Sequence, residues 1–337
     1  MLSGVYCLFG LLTVNRYSGD WLSMRRFFVS KNCILIGAPV DSGQRTQGCI
    51  MGPSAYRVAG LADTLRELGH TVEDWGDVAP GTVTAFSTLS PHIHAAAETL
   101  AWTRALCEAA QKAMATGRFP IFMGGDHAMS LGTVAGVAAQ AHAAGRQLFI
   151  LWLDAHSDLH TPQTSSSGNF HGMPVGYIAG RTGFDGFPPF PHPVPEQNIC
   201  LFGLRSIDPA EQAALRDRAY HVNDMRVLDE RGIVAPLRAF LQKVEHEKGM
   251  LHVSLDVDFL DPSIAPGVGT TVPGGITFRE AHLVMELLHE QNLVTSLDLA
   301  ELNPFLDERG RTARLMVDLV ASLMGRKVFD RPTQGAG

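Results

Sequence analysis

The sequence predicts an α/β domain in which helices cover both faces of a mostly parallel sheet. Three observations predict it. Short apolar runs closed by Gly or Pro alternate with longer stretches at helical spacing, the pattern of successive βα units. Clusters of acids and histidines fall at the C-terminal ends of the apolar runs, where sheets of this kind bind ligands. Those clusters are spread over most of the chain, so a division into two domains would cut the group apart.

Each element has its own justification. Residues 33–39 are a short apolar run ending in Gly37-Ala38-Pro39, hence a buried first strand and then a loop. The loop over 40–52 is rich in Gly, Ser and Gln. A helix is expected over 53–68: Pro53 stands near its start, Leu61, Leu65 and Leu68 share a face, and Gly69 stops it. A long Ala-rich helix is expected over 91–116. The strand over 119–123 ends in Gly124-Gly125-Asp126-His127, where paired glycines let the backbone turn sharply and approach something closely. An Ala-rich helix over 128–144 leaves His127 at the turn. The next strand, over 148–158, begins apolar and ends Asp154-Ala155-His156-Ser157-Asp158. Alternate residues of a strand share a face, so Asp154, His156 and Asp158 are expected to converge by strand geometry. A Ser/Thr/Gly-rich loop covers 161–169 and a proline-rich surface loop 184–195. The strand over 199–204 leads through Arg205-Ser206-Ile207-Asp208 to a helix starting near Pro209. A helix over 233–248, a strand over 251–258 ending in Asp256-Val257-Asp258, a helix over 277–291, a strand over 294–299 followed by Glu301, and a helix over 312–324 complete the pattern.

Composition narrows the function classes. The chain has 337 residues, 45% hydrophobic and 18% charged, which suits a globular fold with a large core. A net charge of −7 with no basic stretch argues against nucleic acid as a partner. Five scattered cysteines without a CxxC pair point to reduced thiols and a cytoplasmic setting. The apolar stretch over 5–14 is too short to span a bilayer, so no membrane association is expected.

The acids and histidines carry the chemistry. Two carboxylates and an imidazole brought to one point repel and desolvate one another unless a cation lies between them. Four carboxylates and two imidazoles arriving from three strand ends suffice for two ions, and hard oxygen donors with some imidazole suit Mn²⁺. Two such ions lower the pKa of a shared water and make a nucleophile for an unreactive carbon. Histidines outside these motifs, such as His252 and His282, are read as structural or surface residues.

Five motifs together resemble the ureohydrolase (arginase/agmatinase) family, arginases in particular. They are Gly124-Gly125-Asp126-His127, Asp154-Ala155-His156-Ser157-Asp158, Ser167-Gly168-Asn169-Phe170-His171-Gly172, Asp256-Val257-Asp258 and Glu301-Leu302-Asn303-Pro304, in family-like order and spacing over residues 34–324. The resemblance implies a three-layer α-β-α domain, commonly a trimer or hexamer, and two Mn²⁺ ions. One ion would be held by His127, Asp154, Asp158 and Asp256, the other by His156, Asp154, Asp256 and Asp258, with Asp154 and Asp256 bridging. Hydroxide shared by the metals would attack the guanidinium carbon of L-arginine, giving L-ornithine and urea. Asp258 would pass the proton to the leaving nitrogen, His171 would shuttle protons, and Glu301 would pair with the guanidinium, as a planar cation favours a carboxylate fork.

The resemblance also addresses the substrate. Ser167 and Asn169 match residues that recognise the α-carboxylate and α-amino group, Asp208 matches the acid that meets the α-amino group, and Thr270 matches a position near the guanidinium. Agmatine lacks the carboxylate, so L-arginine is favoured. Two departures stand out. His160 occupies a position that in many arginases is an Asn touching the α-carboxylate, and Ser206 one that is often Asp. Another guanidino compound is therefore the alternative substrate. A silent binding subunit would require lost ligands, and none is lost. The expected organisation is an N-terminal extension over 1–23, not native or disordered if translation starts at Met24, a catalytic domain over 24–330 and a tail over 331–337.

Overall fold

Strands alternate with helices along the computed structural model, which describes residues 30–83, 92–216 and 218–327. The strands are β1 (Asn32–Ala38), β2 (Thr71–Asp77), β3 (Phe119–Gly124), β4 (Leu148–Leu153), β5 (Ile199–Leu204), β6 (His221–Asp224), β7 (Met250–Asp256) and β8 (Val294–Ala300). They form one parallel sheet in the order β2-β1-β3-β8-β7-β4-β5-β6. The helices are α1 (Gly52–Val58), α2 (Leu61–Glu67), α3 (Ala96–Ala115), α4 (Ser130–Ala143), α5 (Pro174–Ile178), α6 (Pro209–Leu215), α7 (Met225–Arg231), α8 (Val234–His246), α9 (Phe278–Gln291) and α10 (Arg311–Leu323).

Side-chain alternation along each strand divides the interior into two layers. Cys33 and Leu35 of β1, Leu151 and Leu153 of β4, and Val253 and Leu255 of β7 pack with α1, α2 and α7 to α10. Ile34 and Ile36, Ile150 and Trp152 pack with α3, α4 and α5 on the other side. Strands buried on both faces have no reason to alternate polar with apolar, which is why β3, β4 and β5 read as unbroken apolar runs. The polar residues that do enter the sheet are bonded. His252 Nδ1 lies 2.8 Å from Ser296 Oγ, and Asp298 Oδ2 accepts from Ser130 and Thr133, both at 2.7 Å. His252 is thus structural, as expected.

The α/β class and the parallel sheet stand as predicted, with three local corrections. The single helix expected over 53–68 is two, because Gly60 adopts φ +84° and breaks the turn while preserving the leucine spacing. The strand expected over 148–158 ends at Leu153, and the one expected over 251–258 ends at Asp256. Strands β2 and β6 were not anticipated; both are sheet edges, only partly buried, and carry no apolar run. The expected extension over 1–23 and tail over 331–337 lie outside the described residues.

Candidate metal centre

Four neighbouring strands in the middle of the sheet, β3, β8, β7 and β4, deliver the site from their C-terminal ends. At the end of β3 a Cβ on Gly125 would stand 1.8 Å from the Val40 carbonyl oxygen, so only glycine permits that approach. The amide of Gly125 donates to Ala38 O and that of Asp126 to Val40 O, each at 2.8 Å, and the chain crosses tightly over β1. Asp126 then caps a short 3₁₀ turn, His127–Met129, through Ala128 N at 3.0 Å, and also accepts from Gly43 N at 2.7 Å. The turn aims His127 inward.

The His127 ring stacks on Trp152 with centroids 4.1 Å apart. Its Nε2 lies 2.8 Å from Ser254 Oγ, one residue pair below Asp256 on β7. Its Nδ1 faces Asp256 Oδ2 at 2.8 Å, Asp154 Oδ2 at 3.1 Å and Asp158 Oδ2 at 3.3 Å. On the other flank, His156 Nδ1 lies 3.0 Å from Asp258 Oδ2 and 3.4 Å from Asp154 Oδ1. The donor atoms form two sets, His127/Asp154/Asp256 and Asp154/His156/Asp258, sharing Asp154. Asp256 belongs to the first set only, and Asp158 borders it.

Convergence does not come from strand alternation. Past Leu153 the chain turns: His156 N donates to Asp154 Oδ1 at 2.6 Å, and Asp158 adopts φ +48°. On β7, Asp256 caps the 3₁₀ turn Val257–Phe259 by accepting from Asp258 N at 2.7 Å. Asp258 accepts in turn from Ala155 N at 3.0 Å, which ties the two acidic turns together.

The donor set fits divalent cations on the evidence of its own electrostatics. Burial and the Asp154 charge push Asp158 well above the usual carboxylate range. Burial with Asp258 and Asp154 does the same to Asp256, and Asp258 is also raised. Burial opposes charge on His127, but its carboxylate neighbours outweigh that and carry it up to about 9. Burial opposes ionisation of Asp154 too, but it alone is held low, because the His127 and His156 rings beside it outweigh that. Asp158 Oδ2 and His127 Nδ1 are buried without a hydrogen-bond partner. Nδ1 faces three carboxylates, an arrangement that needs either a proton or a cation on that nitrogen; with Nε2 lying 2.8 Å from Ser254 Oγ, the neutral ring can leave Nδ1 to a cation.

Above the cluster opens a cleft of about 240 Å³. Its walls include His160, Ser167, His171, Asp208, Thr270 and Glu301 from the expected set, while Asn169 is not among them. Ser167 Oγ also accepts from Asn169 N at 3.2 Å, ordinary turn chemistry. Thr270 Oγ1 donates to Asp258 Oδ2 at 3.2 Å. Glu301, at φ +66°, is buried; its Oε1 accepts from His127 N at 2.8 Å and lies 3.0 Å from His171 Nδ1. Burial opposes ionisation of both, but each holds the other charged: His171 is raised and Glu301 lowered.

Three participants escaped the sequence reading. Gln44 donates to Glu301 Oε2 at 2.7 Å from the loop after β1, where nothing distinguished it from other loop residues. Glu211 accepts from Ser157 Oγ at 2.7 Å and from Asp208 N at 3.2 Å. Its signal was present, since Asp208-Pro-Ala-Glu211 is a capping box at the start of α6. Ser254, on β7, gave no sign of its bond to His127.

A family model described as the Arginase family matches residues 31–325. An arginase of Brucella melitensis is 56% identical over 303 residues, covering 90% of this chain and 99% of that protein. An arginase of Agrobacterium fabrum is 55% identical over 303 residues, covering 90% of this chain and 94% of that protein. The native structure of arginase from Bacillus caldovelox superposes with a TM-score of 0.80 at 37% identity, covering 88% of this chain and 99% of that one.

Proposed function

The chain belongs to the arginase family, and from that premise we propose that it hydrolyses L-arginine to L-ornithine and urea with two Mn²⁺ ions. It is an arginase-type hydrolase. The observation that carries the two-ion reading is the pair of three-residue donor sets sharing Asp154 at the floor of a cleft. His127, Asp154, Asp158 and Asp256 would hold one ion, and His156, Asp154, Asp256 and Asp258 the other. Bound there, the ions would supply Lewis acidity and a water acidified toward neutral pH.

The chain's own residues do the rest. Glu301 meets the guanidinium; its Oε1 already takes a hydrogen from His127 N and faces His171 Nδ1, and its Oε2 takes one from Gln44, so these bonds hold the carboxylate in place. Asp258 holds the proton that passes to the leaving nitrogen. His171, partly exposed beside Glu301, moves protons between the site and solvent. Ser167 on the loop and Asp208 at the start of α6, both in the cleft wall, receive the amino-acid end. The family's closed assemblies lead us to propose a homo-oligomer, trimer or hexamer, working in the cytoplasm. Among the described residues no helix is long and apolar enough to cross a membrane.

The test is urea release by the Mn²⁺-loaded protein from L-arginine, agmatine and 4-guanidinobutyrate. Preference for L-arginine is expected; preference for another compound would keep the centre and move the specificity. Asp154→Asn removes the shared donor and is expected to lose bound manganese and nearly all turnover. Near-wild-type activity in that variant would overturn the two-ion assignment.

A further inference from the structure

In the wall of the cleft the loop residue His160 meets an acid, Asp208. Its Nε2 lies 3.0 Å from Asp208 Oδ2. The imidazole is only 13% exposed and the Asp208 carboxylate 40% exposed, and both line the cleft, the acid presenting more of itself to it. We propose that His160 selects substrate through Asp208, by fixing the carboxylate that meets the α-ammonium group, and not by touching the α-carboxylate.

The surrounding bonds support a positioning role. Thr164 Oγ1 lies 3.2 Å from His160 Nδ1 and accepts from Thr161 N at 2.9 Å, so it can give its hydrogen to Nδ1. That leaves Nε2–H for Asp208. The backbone amide of His160 is itself bonded to Gly172 O at 3.1 Å, which anchors the ring's base. Asp208 is gripped from the other side: its Oδ1 accepts from Ala210 N at 2.8 Å and Glu211 N at 3.0 Å. One oxygen caps α6, the other is pinned by His160, and Oδ2 keeps a lone pair for an incoming ammonium. An Asn at position 160 has a shorter side chain, so this tie depends on the histidine found here. Glu211, bonded to Ser157 between two ligand residues, continues the frame down to the metal floor. The site for the amino-acid end and the metal cluster are thus one hydrogen-bonded structure.

This inference rests on the arginase activity proposed above, and three compounds separate the two. L-Arginine carries both the α-ammonium and the α-carboxylate, agmatine only the amine, and 5-guanidinopentanoate only the carboxylate. Each is measured as a substrate of the Mn²⁺-loaded enzyme or, where turnover is slow, as a competitive inhibitor. In His160→Ala, the affinities for L-arginine and agmatine are expected to fall about tenfold relative to 5-guanidinopentanoate, as loss of one charge-assisted bond implies. His160→Gln, which can place an amide N–H near the Nε2 position, is expected to restore most of the ratio. Asp208→Asn is expected to reproduce the loss, and the His160→Ala/Asp208→Asn double variant to be no worse than Asp208→Asn alone. The ratio is internal to each enzyme sample, so partial misfolding or lost metal does not move it. If L-arginine and 5-guanidinopentanoate weaken together while agmatine is spared, His160 reads the carboxylate directly and the proposal is wrong. Equal loss on all three compounds also overturns it. Wild-type protein that handles none of the three removes the activity itself, and the inference with it.

Discussion

Gln44 donates its amide hydrogen to Glu301 across 257 residues of sequence, inside a site where Glu301 has no solvent to orient it. Gln44→Leu keeps the volume and removes the donor. Loss of a bond to a charged partner suggests a drop in kcat/KM of about tenfold on L-arginine. Bound manganese, measured by atomic absorption, is expected to be unchanged, because Gln44 touches none of the proposed ligands. A fall in manganese content would show that Gln44 acts on the centre instead. The carboxylates below make a second prediction. In metal-free protein Asp158 and Asp256 lie well above 3.8, so the folded state keeps protons that the unfolded chain releases. Stability from these groups therefore falls as pH rises above that value. His127, raised from 6.5 to about 9, contributes fully below 6.5 and loses its contribution as pH rises through about 9. Asp154 has the opposite sign, but its contribution disappears only on strong acidification. Chelated protein is expected to show a Tm that declines from about pH 5 to about pH 9. Added Mn²⁺ should raise Tm more at about pH 8 than at about pH 6. A chelated Tm that climbs over this range would contradict the account.

At the scale of elements, the tight crossing of β1 and β3 positions His127. Gly125→Ala would drive a methyl into the Val40 carbonyl, backbone that cannot swing aside. A destabilisation of about 3 kcal/mol is expected by denaturant unfolding, together with loss of activity. Full stability in that variant would mean the crossing is looser than described. Elements also show how far the sequence could be read. The interior strands were legible because double-sided burial leaves an apolar signature, and the edges β2 and β6 were not because half-exposed strands lack one. The acids of 154–158 were legible as a group by their composition. The reason they meet was not, since a left-handed Asp158 and a carboxylate-capped turn cannot be read from alternation. Gln44 and Ser254 stayed silent because a hydrogen bond formed across 257 or 127 residues has no local pattern.

For the whole molecule, the order of strands matters more than their number. The strand nearest the C-terminus, β8, lies between β3 and β7 in the centre of the sheet, and Glu301 follows directly from it. A chain emerging from the ribosome therefore makes β3, β4 and β7 before it has the strand that joins them. Until β8 inserts, β3 and β7 each present an open edge to solvent and to other chains. Final assembly waits on a contact between distant parts of the sequence, the class of event that slows folding. The candidate site is consequently incomplete in any nascent chain that has not yet made β8 and Glu301 and seated that strand between β3 and β7.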